Sequence, residues 1–164
     1  MLTVSEANAT IKRHQAKAPV EVVPIAEEFG LKVYRVQGWP DSISGMIKKD
    51  GDRGGDSGYA IFVNGKHPEV RRRFTIAHEI AHFVLHRDLI GDGITDDGLY
   101  RSGLSNTVEA QANKYAADIL MPWHLVNGMT DSGLDTVEAL AKRFKVSKSA
   151  MAIRLGVPYE TVAA

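Results

Sequence analysis

The chain has 164 residues, 44% of them hydrophobic and 24% charged, which suits one globular domain and leaves little room for two independent cores. Its 20 basic and 20 acidic side chains cancel, which argues against nucleic-acid binding by bulk charge. It has no cysteine, which excludes disulfides, thiolate-bound clusters, cysteine-ligated zinc and thiol nucleophiles, so any metal must sit on carboxylates and the six histidines.

Residues 3–16 carry helix formers, with Thr3 or Ser5 as a cap, and predict a leading helix. They contain no apolar stretch of signal-peptide length, and no segment of the chain approaches the roughly 18–20 apolar residues of a membrane helix. The expectation is a soluble, cytoplasmic protein with no membrane partner. Residues 19–29 predict a second helix stopped by Gly30, and LKVYRV at 31–36 a strand. Strands are also predicted at 43–48 and 59–63, joined by the turn-forming DGDRGGDSG at 50–58. That loop superficially suggests a calcium site, but an EF-hand would need glutamate where Ile61 stands.

A long helical pattern follows from Glu69 to about Arg87. Residues 89–105 read as a loop rich in glycine and in aspartate (Asp92, Asp96, Asp97), placed to border a cleft. Residues 106–121 are helical and stop before Pro122, and 123–131 read as a short irregular link. Asp135-Thr-Val-Glu138 has capping-box spacing and opens a helix to about Phe144; Ser147 caps a last helix ending near Gly156.

The chemistry concentrates in His78-Glu79-Ile80-Ala81-His82, an HExxH motif. Four residues turn a helix by about 400°, so both imidazoles project from nearly the same side, about 6 Å apart along the axis, and can share one ion. Glu79, rotated about 100° from His78, suits a general base acting on water better than it suits ligation. The flanks RRRFTIA and FVLH keep the apolar rhythm of a buried helix. His86 lies about 12 Å along the axis from His78, too far to share the ion on a continuous helix. Nor does the HExxHxxGxxH pattern apply, since Leu85 and Asp88 occupy its glycine and histidine positions. Glu109 on the next helix is the best remaining third ligand, beside Ala112, Ala116 and Ala117, whose small side chains let helices approach. Spacing alone does not separate that role from a solvated glutamate in a first turn.

RRRFTIAHEIAHFVLH followed by EAQANKYAADILMP resembles the ImmA/IrrE metallopeptidases. The second string matches an E-x-x-A-N-x-x-A-A-x-x-L-M-P pattern at Glu109, Ala112, Asn113, Ala116, Ala117, Leu120, Met121 and Pro122. PVEVVPIAEEFGLKVYRV, ISGMI and YAIFVN extend the resemblance to about residues 19–155. It implies a gluzincin-like zinc peptidase with His78, His82 and Glu109 as ligands of Zn2+ and Glu79 as base. It also implies a protein substrate, an Xre-type helix-turn-helix repressor or antitoxin, whose cleavage derepresses genes. The expected fold is α+β: a small antiparallel sheet packed on a helical, zincin-like core over residues 1–134, then a helix pair over 135–164 on the same domain.

Tyr115, His86, Tyr100 and His124 are candidates for stabilising an oxyanion; Asn113, one turn from Glu109, suits support of a ligand and helix packing equally. Arg71–Arg73 read as a solvated turn. LAKRFKVSKSAMAIRL has the outline of a helix-turn-helix. Residues 135–164 carry five basic side chains (Lys142, Arg143, Lys145, Lys148, Arg154) against Asp135, Glu138 and Glu160. An excess of two is weak for a DNA-binding unit, so DNA contact through this pair is the minor reading. Two other classes stand beside the enzyme: a toxin-like partner of an Xre-type antitoxin that acts without proteolysis, and a DNA-binding regulator with structural zinc. An intact Glu79 favours the enzyme, because a structural site has no use for it.

Overall fold

In the computed structural model, which describes residues 2–91, 94–97 and 104–158, the first half of the chain runs α1 (Val4–Arg13), α2 (Val22–Glu28), β1 (Leu31–Val36), β2 (Ile43–Lys49), β3 (Tyr59–Asn64) and α3 (Glu69–Leu85). The second half runs α4 (Arg87–Ile90), β4 (Ile94–Asp97), α5 (Asn106–Leu120), α6 (Trp123–Asp131), α7 (Val137–Phe144) and α8 (Lys148–Leu155). Hydroxyl caps open four of the helices. Thr3, Ser105, Thr136 and Ser147 each accept the backbone N–H three residues ahead, satisfying a donor that a helix start leaves unpaired. The cap of α7 is therefore Thr136, one residue beyond the expected Asp135.

The sheet has strand order β1-β3-β2-β4. β2 and β3 form the expected hairpin, with Ile47 opposite Ile61. Asp50 closes its turn: the Asp50 N–H donates to Gly58 O at 2.8 Å, and the side chain accepts from the N–H groups of Asp52 and Arg53. β1, however, pairs parallel with β3, Leu31 opposite Tyr59, so the sheet is mixed rather than antiparallel. The start of β1 is tied to the hairpin loop, where Ser57 donates to Gly30 O through its hydroxyl (2.7 Å) and its backbone N–H (3.1 Å). That contact seats β1 beside β3, and YAIFVN, buried at five of six positions, is the central strand this requires.

The segment 89–105, expected to be a loop, contributes β4, which pairs antiparallel with β2 across a bulge at Ile43/Gly45; its first residues belong to α4. Elements of four residues are too short to leave a periodic signal. Residues 123–131 form α6 instead of an irregular link; the helix buries Val126 and back-bonds the Thr130 hydroxyl to Val126 O.

One apolar cluster joins Ile25, Leu31, Ile47 and Ile61 to Ile80 and Phe83 of α3, to Ile119 and Leu120 of α5, and to Phe144 and Met151 of α7 and α8. The arginine run differs from expectation. Arg71 donates to Ser44 Oγ and Arg72 to His67 O, but Arg73 is buried. Its guanidinium donates to Val20 O (2.8 Å), Phe144 O (3.3 Å) and Lys145 O (3.2 Å), joining α3 to the carbonyl end of α7. Burial lowers its pKa, against the nearby charges of Glu21 and Glu69. Arg154 ties α8 back in the same way, donating to Met121 O at 2.9 Å, pairing with Asp118 at 2.9 Å and covering the Trp123 ring.

Candidate metal centre

All nine residues of α3 from Thr75 to Phe83 are buried, and three of them are ionisable: His78, Glu79 and His82. Burying such groups is costly unless they meet partners. The partners come from α5, which packs on α3 through Ala112 and Ala116, both fully buried. α5 presents Glu109, 3% exposed, so that its Oε2 lies 3.2 Å from His78 Nε2 and its Oε1 3.2 Å from His82 Nε2. The two Nε2 atoms are 3.1 Å apart, with ring planes at 89°.

Ligand atoms at about 2.0–2.1 Å from a tetrahedral zinc ion stand about 3.3 Å from one another. The two imidazole nitrogens are within about 0.2 Å of that spacing, a different oxygen of the Glu109 carboxylate stands 3.2 Å from each, and this donor set suits zinc and other borderline divalent ions. Ligand atoms of His78, Glu79 and His82 also lie within 4.8 Å of one another. Glu109 stands 3.2 Å from each imidazole Nε2, and Glu79 belongs to the same cluster. β2 passes directly over this region: a Cβ on Gly45 would stand 2.4 Å from Thr75 Cγ2 and 3.5 Å from Glu79 Oε2.

Burial works to raise the pKa of Glu109, but hydrogen bonding and charge from His78 and His82 outweigh it and hold the carboxyl well below the usual range. Behind the imidazoles, His78 Nδ1 meets Asn113 Oδ1 at 2.8 Å. His82 Nδ1 meets His86 Nδ1 at 3.0 Å, and His86 Nε2 meets Gln111 Oε1 at 2.7 Å. His86 thus stands behind His82 and outside the triangle.

His78, Glu109 and Asn113 line a cleft of about 480 Å³. Its other walls are Phe74 and Arg71 of α3, Ser44 of β2, and Ser147, Ala150 and Ile153 at α8. None of the described oxyanion candidates lines it. Tyr115 donates to Asn8 Oδ1, with its pKa pushed up to about 12 by burial and the charge of Asp118. His124 meets Gln15 O, and Tyr100 lies outside the described residues. The contribution of α8 escaped the sequence reading; what the structure adds is Ile153, an apolar side chain that is 81% exposed at the cleft wall.

Two imidazoles one turn apart on a buried helix, with carboxylates beside them, form a group that could hold a metal ion. Residues 21–156 match the IrrE N-terminal-like domain (Peptidase_M78), and the chain belongs to that peptidase family. It is similar to the radiation response metalloprotease IrrE of Deinococcus radiodurans, 37% identical over 94 residues that cover 54% of this chain and 28% of that protein. The fold is that of a Mycobacterium tuberculosis transcriptional regulator, with a TM-score of 0.64 at 17% identity, covering 97% of this chain and 48% of that one. The chain thus spans less than half the length of either relative. Among the described residues, no helix is long and apolar enough to cross a membrane.

Proposed function

We propose that the protein is a zinc-dependent endopeptidase in which His78, His82 and Glu109 hold the ion and Glu79 is the general base. One observation carries the reading: His78 Nε2, His82 Nε2 and the Glu109 carboxylate stand 3.1–3.2 Å apart, the spacing of three ligands about one tetrahedral ion. Zinc held there supplies Lewis acidity and a water whose pKa falls towards about 7. Glu79 accepts a proton from the attacking water and returns it to the departing amine. The substrate chain lies in the cleft beside His78 and Glu109, with an apolar side chain seated against Phe74, Ala150 and Ile153.

In this reading residues 1–134 are the catalytic core, and the helix pair from residue 135 on walls the cleft. The substrate class is an Xre-type helix-turn-helix repressor or antitoxin in the cytoplasm, cut to derepress genes. That step rests on the ImmA/IrrE resemblance. Two of the five basic side chains of the C-terminal pair are already engaged, Arg154 with Asp118 and Lys145 with Glu69, which weighs against a DNA-binding surface.

The deciding experiment is Glu79→Gln, with zinc content measured beside cleavage of a helix-turn-helix repressor and of unstructured casein. Zinc stays bound, and cleavage falls by about 10²–10⁴-fold. Cleavage at the unmodified rate removes Glu79 from the mechanism. If neither form cleaves but both bind the repressor, the toxin-like binder replaces the enzyme.

A further inference from the structure

His86 has no task in the chemistry above, yet it is buried against His82. We propose that His86, oriented by Gln111, is a positioning residue that holds His82 in the tautomer able to ligate metal; the proposal rests on the metal-site reading above.

Gln111 is exposed on α5, and its Oε1 can only accept. His86 Nε2, 2.7 Å away, therefore carries a proton and donates it. A neutral imidazole protonated at Nε2 has its lone pair on Nδ1. His82 Nδ1, 3.0 Å from that lone pair, must then be the donor. The proton of His82 is thereby fixed on Nδ1, and its Nε2 lone pair faces His78 Nε2 and Glu109 Oε1 at 3.1 and 3.2 Å.

His78 reaches the same state in one step, since its Nδ1 donates to the Asn113 oxygen at 2.8 Å. Both anchors, Gln111 and Asn113, belong to the helix that carries Glu109. A single element thus supplies one candidate ligand and sets the tautomers of the other two.

A metal-ligating histidine ordinarily gives its second N–H to a carboxylate, a carbonyl or water, all of which accept. An imidazole in that place offers either a donor or an acceptor, and only its far-side partner decides which. Gln111 makes that choice. The backbone brings His86 into position: it leaves α3 as its C-cap at φ −132°, ψ 32°, and its N–H still donates to His82 O at 2.8 Å. The ring then stands 5.2 Å from that of His82, centre to centre.

The test uses zinc affinity by chelator competition and the histidine tautomers of the metal-free, folded protein by nitrogen NMR. His86→Phe keeps the volume but loses the acceptor; His86→Asn loses volume but places an oxygen near the Nδ1 position. The expected loss of zinc affinity is about 10–100-fold for His86→Phe and less than about 3-fold for His86→Asn. A packing role predicts the opposite order, because phenylalanine fills the space and asparagine leaves a gap. At the exposed end, Gln111→Glu keeps the acceptor and retains affinity, whereas Gln111→Leu loses part of it; this pair carries the same contrast if His86→Phe does not fold.

Equal or tighter zinc binding by His86→Phe than by His86→Asn overturns the proposal. So does a His82 proton found on Nε2 in the unmodified metal-free protein. Should the unmodified protein bind no zinc, the metal reading fails, while the metal-free tautomers still judge the relay.

Discussion

Replacing Arg73 by methionine keeps an apolar stem of similar length and removes the guanidinium. Three carbonyls lose their donor: Val20 O at 2.8 Å, Lys145 O at 3.2 Å and Phe144 O at 3.3 Å. A hydrogen bond from a charged donor contributes about 1.5–3 kcal/mol, so the short contact to Val20 O accounts for most of the loss. The two longer ones at the carbonyl end of α7 add about 0.5–1 kcal/mol each. Against this, methionine has no buried charge to desolvate, which returns about 1–2 kcal/mol. The net destabilisation is about 2 kcal/mol at the centre of these ranges, a fall in Tm of about 4–8 °C for a domain of this size. The assay is thermal unfolding followed by circular dichroism, on metal-free protein so that zinc binding does not mask the change. Hydrogen exchange adds a spatial check: residues 137–155 lose protection before residues 69–85, because the clamp joins α7 to α3. A Tm within about 1 °C of the unmodified protein means that relief of buried charge offsets the lost bonds and refutes this reasoning.

His78→Ala, His82→Ala and Glu109→Ala each weaken zinc binding by more than about 100-fold, beyond the range expected for a supporting residue; metal analysis after dialysis decides it, and zinc retained by Glu109→Ala removes Glu109 from the ligand set. Ile153→Asp, on the exposed face of α8, lowers repressor cleavage by about 10-fold or more with zinc content unchanged, and an unaltered rate shows that the substrate does not use that wall. Lys142→Glu with Lys148→Glu leaves cleavage intact; tight duplex binding at physiological salt that this pair abolishes would favour the DNA-binding regulator.

The sequence made legible those features that depend on local spacing. HExxH needs only the helical repeat, and the helix ends marked by Thr3, Ser147 and the helix-stopping Gly30 need only a residue type at an element's end. Spacing made Glu109 a candidate, and only the resemblance chose the ligand role over a solvated first-turn glutamate, since such a residue gives no sign of the neighbouring helix it faces. Features set by tertiary partners were not legible. Arg71, Arg72 and Arg73 are the same residue type in sequence, and the 100° step between helix positions sends one to Ser44, one to His67 O and one into the core. The pairing of β1 with β3 depends on Ser57 reaching Gly30, 27 residues away. α6 was hidden by Asn127 and Gly128, both poor helix formers. That last case carries its own test. Gly128 lies inside α6, has ordinary negative φ, and an added Cβ would meet nothing within 4 Å. Gly128→Ala therefore removes backbone freedom from the unfolded chain without a clash and stabilises the fold by about 0.5–1 kcal/mol. The corresponding rise in Tm is about 1–4 °C. An unchanged or lower Tm would mean that packing of Val126, and not helix propensity, limits this segment.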